Sequence, residues 1–521
     1  MADKKGLKQW LWERRNSTRL AYVLQLATRI LTSFMSLVWI RLLVDAMGLE
    51  INGAYLAFQK LISLGGLGDL GMGAIVGIRS GQYLGQGRTR ELQQFLASAR
   101  IVFLILALVA AGVVLLFTPW LPRWFQLDQG AGTGSMRLLF AVGAVLVAGV
   151  VLSSYVGNLN YACGNVTWPV IPAFILFQCS MLGHWLLARQ HLPLWIQCLP
   201  YVASSGAGLL LLRLYVRASH PAVAGVFPLK LDWRMAVSLT ENSFWAYLCG
   251  LGNSIYRNTD GLVISAGFKP GTLPVYDYNY KFCEIAVFVA VTASFVSLPK
   301  ITQWMASADR QDQDRVRKEA RRLNQFQTMI GCAAALAYLA GNDLFMHVWR
   351  LHKENPIPPV SLPLQLAFAL NMAVTAGGDA GLQMMLRSGK HGLRIGGGLV
   401  GLTGLLNLGL SILAMTRGSL LGIAMATVLA ESVLRLASSF YTCRKLQIRW
   451  LPWAMRAWLV PVAGVLFAAW LRWKLPFDSA QNISLLIAAY LAMALGTAWM
   501  LGITPAFIKA ELAIVRGFFR N

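Results

Sequence analysis

Residues 101–122 read IVFLILALVAAGVVLLFTPWLP, an apolar run without a single ionisable side chain. Wound as an α-helix it is about 33 Å long, enough to cross the roughly 30 Å hydrocarbon layer of a membrane. Runs of the same kind recur from about Leu20 to Ile503. They place predicted spans at 21–44, 53–78, 98–119, 137–158, 166–187, 193–212, 237–266, 272–304, 324–349, 362–386, 394–415, 418–441, 455–472 and 482–504. The chain is 56% hydrophobic and 13% charged over 521 residues, more apolar surface than a soluble protein of that size can bury. The first run has no small-residue cleavage site and is followed by more spans, so it reads as a span and not as a signal peptide. The expected fold class is all-α, a polytopic membrane protein with about fourteen transmembrane helices.

An even number of spans puts both termini on one side, and charge chooses the side. With Met1 in the cytoplasm, about 31 of the 46 Lys and Arg residues fall in cytoplasmic segments and about 9 outside, as the positive-inside rule requires. The basic clusters Lys4–Arg19, Arg79–Arg100, Arg213–Arg234, Lys300–Arg322, Arg444–Arg456 and Lys509–Arg520 all lie on that side. The net charge of +24 therefore reflects topology and contact with anionic lipids, and nucleic acid is not expected as a partner. Trp10, Trp12, Trp120, Trp124 and Trp450 fall near span ends, as in an interfacial belt. A multi-pass protein of the cytoplasmic membrane, with both termini inside, is expected.

The seven cysteines are scattered, mostly within or at the ends of spans, where cysteine behaves as a small apolar residue. No disulfide framework, metal site or cofactor is expected. No connection exceeds roughly 25 residues, too little for the outer domain that a membrane glycosyltransferase, ligase or polymerase needs. There is no P-loop, so an ATP-driven pump would require another subunit. A transporter is expected, not an enzyme. The alternating charges of Arg310–Arg322 read most simply as a solvated helix end.

Ionisable residues inside the spans are more telling, since each costs about 2.5–3.5 kcal/mol at the bilayer centre and so faces a bundle interior or a water cavity. Gln25, Arg29, Ser33 and Ser36 form a polar stripe on the first span. Lys60 lies in the second, with Asp69 in the glycine-rich run Gly65–Gly73. Asn253, Arg257 and Asp260 stand at i, i+4, i+7 in the seventh, and Asp277, Lys281 and Glu284 do the same in the eighth. Asp379 lies in Gly377–Gly381 of the tenth. Arg435 and Glu431, at i, i+4 in the twelfth, read as a self-neutralising pair, and Arg41 as a side chain that snorkels outward. Asp277 with Lys281 is open to either reading. Arg29 and Lys60 have no acid within their own turn and need a partner from another helix, a lipid phosphate or a ligand. The candidate substrate-binding residues are Arg29, Lys60, Arg257 and Lys281. The candidates for coupling or gating are Asp69, Asp260, Asp277, Glu284 and Asp379, with a proton or sodium as the coupling ion.

Tyr55-Leu-Ala-Phe-Gln-Lys60-Leu61 overlays Tyr276-Asp-Tyr-Asn-Tyr-Lys281-Phe282 without a gap, six spans apart. This hints at two six-helix halves of the kind transporter repeats provide. The expected divisions are an N-terminal segment 1–20, an N-lobe 21–212, a linker 213–236, a C-lobe 237–441, two further helices in 442–504 and a tail 505–521. Equivalent helices would present Arg29, Lys60, Arg257 and Lys281 to a central cavity.

Several motifs carry a family likeness through their order and spacing. They are Gly68-Asp-Leu-Gly-Met-Gly73, Asp260-Gly-Leu-Val-Ile-Ser-Ala-Gly267 with Val275-Tyr276, Leu298-Pro-Lys-Ile-Thr302, Leu382-Gln-Met-Met-Leu-Arg-Ser-Gly-Lys390 and Gly422-Ile-Ala-Met-Ala-Thr-Val-Leu-Ala430. In these the chain resembles the polysaccharide flippase family of the multidrug/oligosaccharidyl-lipid/polysaccharide exporter (MOP) superfamily. The resemblance implies two six-helix lobes around a cavity, sometimes with two C-terminal helices. It implies alternating-access transfer of an undecaprenyl-diphosphate-linked oligosaccharide across the cytoplasmic membrane for cell-surface polysaccharide assembly. It also implies a polysaccharide polymerase and assembly proteins as partners. Arginine suits the diphosphate of such a load, and Tyr276, Tyr278 and Tyr280 either stack on its sugars or are ordinary interfacial tyrosines. The alternatives are a cation-coupled multidrug exporter of the same superfamily and a peptidoglycan-precursor lipid flippase. Four candidate cations against Asp69, Asp260, Asp277 and Glu284 give balance where a cationic-drug pump would show an acid excess, which favours an anionic lipid.

Overall fold

A computed structural model describes residues 18–124, 133–163, 169–221, 232–240, 243–306, 309–350, 357–475 and 480–502. The described residues contain helices and no strand. Each predicted span overlaps helix among the described residues. Nine helices among the described residues are long and apolar enough by themselves to cross a membrane. The chain is thus an all-α, multi-pass membrane protein, as the apolar runs require. It divides into two compact units, Met1–Ser254 with Phe268–Leu273, and Ile255–Gly267 with Pro274–Asn521.

In the first unit α1 (Thr18–Ser63) carries the first predicted span and the start of the second, bent at Gly48, whose φ of 76° is readily open only to glycine. The second span then breaks. A 3-10 turn, Leu64–Asp69, leads through Leu70 (φ 50°) and Gly71 (φ 72°) into α2 (Met72–Gly85). The remaining long helices of this unit are α3 (Thr89–Phe117), α4 (Thr133–Ala162), α5 (Val170–Arg189) and α6 (Leu199–Ser219). Here α4 packs against α3 and α6, and α1 against α5. Leu92, Phe95, Leu96, Phe103 and Val151 fill the core between α3 and α4. Leu104, Ile105, Leu108, Val109 and Leu116 stay exposed on α3, an apolar face that suits lipid and not water.

The chain reaches the second unit through α7 (Ser243–Gly267). That unit continues with α8 (Thr272–Ala306), α9 (Arg310–Arg350), α10 (Leu362–Arg387), α11 (Lys390–Thr416) and α12 (Leu420–Lys445). It ends with α13 (Val460–Lys474), entered through Trp450–Ala454 and a π-helical turn Met455–Leu459, and with α14 (Ala480–Met500). Its centre is α10, buried along nearly its whole length between α9, α12 and α13. Close packing there depends on missing side chains: a Cβ on Gly378 would lie 2.3 Å from the Arg435 Cβ, and one on Gly381 2.4 Å from the Ser439 Oγ.

The helices of 442–504 are bound into this second unit by a buried polar clamp. Arg472 of α13 donates to the Leu339 carbonyl of α9, pairs with Asp343, and donates to Gln365 of α10 at 2.9 Å. Gln365 closes the triangle by donating to Asp343 Oδ1 at 2.6 Å.

Candidate functional site

The polar interior of the second unit is organised by one stripe on α12. Thr427, Glu431 and Arg435 stand four residues apart, so all three meet the same neighbours. Arg435 Nε donates to Glu431 Oε2 at 2.6 Å, and Nη1 reaches Asp379 Oδ1 of α10 at 3.3 Å. Arg435 is 7% exposed and Asp379 2%. The pair read from the sequence as self-neutralising is therefore a three-member cluster, with two carboxylates sharing one guanidinium. Gln327 of α9 donates to Asp379 Oδ2 at 3.0 Å and Gln383 to Oδ1 at 3.2 Å. Arg387 donates to Gln383 Oε1 at 2.8 Å. Charge-assisted bonds of this kind fix geometry more surely than they add net stability.

Two turns away along α12, Thr427 Oγ1 lies 2.8 Å from Asp260 Oδ1 of α7 and 3.1 Å from Asn407 Oδ1 of α11. Tyr276 of α8 donates to Asp260 Oδ2 at 2.7 Å. A threonine has one hydroxyl proton, so Thr427 serves Asp260 or Asn407 at any moment and not both. Asn407 is buried, and its Nδ2 has no hydrogen-bond partner. Between the two carboxylate centres, Asn371 of α10 accepts from Tyr256 at 3.3 Å and from Thr375 at 3.0 Å, and donates to the Tyr280 hydroxyl at 2.8 Å. The whole array contains only oxygen and nitrogen groups. Among the described residues no group of His, Cys, Asp and Glu is arranged to hold a metal ion.

The other sequence candidates fall in different settings. Arg257 is exposed in the middle of α7 and makes no ion pair or hydrogen bond with a described residue. Lys281 pairs with Glu284 at 2.6 Å. Asp277 is half-buried on the same helix. Lys60 is half-buried in the last turn of α1, where a cation complements the helix dipole. Asp69 braces the break in the second span: Oδ1 accepts from the Gly71 amide at 2.8 Å and Oδ2 from Ser154 Oγ of α4 at 2.5 Å. Arg29 lies on α1, but its side chain is outside the described residues.

Two expectations are corrected. Arg41 does not snorkel; it is buried and lies 3.5 Å from Asp45, one turn on. Tyr276 and Tyr278 are buried too. The Tyr276 hydroxyl is committed to Asp260 and its ring packs edge-on against Phe368, so neither is placed to stack on a sugar. Tyr55 and Tyr276 are alike in setting. Each is buried in its own unit with its hydroxyl in a polar cluster, that of Tyr55 meeting Tyr201 and Gln59. Thr427, Asn407, Asn371 and Tyr256 were missed, although Thr427, Glu431 and Arg435 show a four-residue polar spacing in an otherwise apolar span.

The described residues thus form a polytopic helical chain with an ionisable network inside one of its two units. Its fold is similar to that of solved MOP-superfamily transporters. The structure described as "Lipid II flippase MurJ, inward closed conformation" matches with a TM-score of 0.67 at 12% identity, over 91% of this chain and 98% of that one. An inward-facing multidrug resistance MATE family transporter matches with a TM-score of 0.58 at 12% identity, over 83% and 95%. A MOP-superfamily transporter from Pyrococcus furiosus matches with a TM-score of 0.53 at 13% identity, over 82% and 95%. No family profile and no curated protein sequence matches the chain.

Proposed function

We propose that this protein is a flippase that moves a polyprenyl-diphosphate-linked oligosaccharide across the cytoplasmic membrane for cell-surface polysaccharide assembly. The observation that carries the reading is Arg257, an exposed arginine midway along α7, within a predicted span, with no partner among the described residues. A guanidinium there is costly unless water or an anion meets it, and its planar fork fits phosphate oxygens. Lys60 and Lys281, both half-buried, are further cations for the same load, with Arg29 as a fourth. The fold likeness supports a lipid substrate over a drug. The lipid II flippase covers 91% of the chain against 83% for the multidrug transporter, a difference on the scale of two spans of about 20 residues each.

In this reading a proton or a sodium ion drives the cycle through Asp260. Protonation turns a carboxylate that accepts from Tyr276 and Thr427 into a group that also donates, and frees Thr427 for Asn407. A sodium ion would instead draw on the same oxygens, which are the donor type hard cations prefer. Either event changes bonds that join α7, α8, α11 and α12. Asp379 with Arg435, Asp277, and Glu284 with Lys281 are the further coupling or gating groups, and Asp69 holds the break in the second span.

The test is binding to the purified protein in nanodiscs, with a fluorescent polyprenyl-diphosphate glycan and a cationic dye-like drug as alternative probes. The wild type is expected to bind the glycolipid, and Arg257→Ala to weaken it about tenfold, the worth of one charge-assisted contact. Binding of the drug alone would transfer the chain to the exporter reading.

A further inference from the structure

The second unit contains a cavity that the proposed cycle does not use. It encloses about 320 Å³ between α9 and the segment that leads into α13, and is lined by Arg321, Asn324, Arg449, Pro452, Trp453 and Arg456 among others. This is the end of the unit that the charge distribution assigns to the cytoplasm. Its volume falls at the small end of ligand sites, which run roughly 300–1,000 Å³. Arg456 stands in the π-helical turn Met455–Leu459, a local irregularity often found at functional sites.

Three guanidinium groups line the cavity and no carboxylate does. Three other arginines of α9 are matched: Arg315 with Asp312 at 2.8 Å, Arg317 with Asp314 at 2.9 Å, Arg322 with Glu319 at 2.8 Å. Arg321, Arg449 and Arg456 make no ion pair with any described residue. Two lining groups are also left unsatisfied. Asn324 is 3% exposed and its Oδ1 has no hydrogen-bond partner; Trp453 is 4% exposed and its Nε1 has none. Buried polar groups are rarely left so without a ligand or water to meet them.

The same segment supplies an apolar ridge. Leu451, Met455 and Leu459, four residues apart, are 63%, 45% and 60% exposed, and in a multi-pass protein such a ridge meets acyl chains. A cationic cavity beside it fits a ligand that is an anion at one end and hydrocarbon at the other.

We propose that the cavity is a binding site for an anionic glycerophospholipid with a hydroxylated headgroup. Arg321, Arg449 and Arg456 hold its phosphate, the Trp453 N–H donates to a further oxygen, a headgroup hydroxyl donates to Asn324 Oδ1, and the acyl chains lie along Leu451, Met455 and Leu459. The lipid thereby braces the joint between α12 and α13. That joint is already gripped from the protein side by Arg317, which donates to the Leu446 carbonyl and to Gln447 Oε1, each at 2.8 Å.

Native mass spectrometry of the full chain in detergent tests this, with dioctanoyl phosphatidylglycerol, phosphatidic acid, phosphatidylcholine and inorganic phosphate as probes. The wild type is expected to retain one phosphatidylglycerol in preference to phosphatidylcholine. Arg449→Gln/Arg456→Gln is expected to lower that occupancy about tenfold, while Arg213→Gln/Arg217→Gln, exposed on α6, leaves it unchanged. Both pairs are exposed, and an unaltered unfolding temperature shows that the fold persists. Asn324→Leu is expected to erase a preference for phosphatidylglycerol over phosphatidic acid, which has no headgroup hydroxyl. Equal retention by the two double variants, or saturation by inorganic phosphate without any phospholipid preference, overturns the proposal. The readout is a phospholipid and not the transported glycolipid, so it stands or falls apart from the flippase reading.

Discussion

Replacing Arg435 by Met removes the one cation that Glu431 and Asp379 share and leaves the aliphatic volume nearly intact. Glu431 is 3% exposed and Asp379 2%, so neither carboxylate can turn to water. Breaking a buried ion pair from one side costs about 3–5 kcal/mol, or two to four powers of ten in the folded-to-unfolded ratio. Gln327 and Gln383 remain as donors to Asp379, which places the expected cost near the lower figure. The assay is thermal unfolding of the purified protein in a mild detergent, followed by tryptophan fluorescence. Because the penalty comes from stranded charge and not from lost packing, Arg435→Met/Glu431→Gln/Asp379→Asn is expected to recover most of it, to within about 1–2 kcal/mol of wild type. A single variant within about 1 kcal/mol of wild type, or a triple variant no better than the single, would refute the charge-sharing account.

Two other outcomes concern the same unit, and a third the first unit. If Asp260 carries the coupling ion, Asp260→Asn makes transport in vesicles insensitive to an imposed proton or sodium gradient; an unchanged gradient dependence removes the role from that residue. Gly378→Ala places a Cβ 2.3 Å from the Arg435 Cβ and is expected to destabilise by about 1–3 kcal/mol through overpacking. Gly81→Ala, in a helix with nothing within 4 Å, is expected to be neutral or slightly stabilising in the same unfolding assay.

The spans were legible because an apolar run of twenty residues has few other destinations, but the break in the second span at Leu64–Gly71 was not read from its glycines. Partnerships were harder to read. Asp277, Lys281 and Glu284 share one face, so both acids were in reach of the lysine by spacing, and only side-chain geometry shows the close pair with Glu284. Arg435 and Asp379 are 56 positions apart, and no periodicity in a single sequence joins residues across helices. Arg41 and Tyr276 misled for another reason. Near a span end, arginine and tyrosine usually reach for the interface, but here each had a local carboxylate, Asp45 and Asp260, that drew it inward.

The clamp made by Arg472, Asp343 and Gln365 constrains how the chain is made. Synthesis delivers α9 and α10 before α13, and an arginine near a helix end enters a bilayer less readily than an apolar residue. When Arg472 arrives, Asp343 and Gln365 are already in place to receive it. The last pair of helices thus enters the membrane as a client of helices laid down more than a hundred residues earlier. A chain that ends after α12 leaves Asp343 without its arginine.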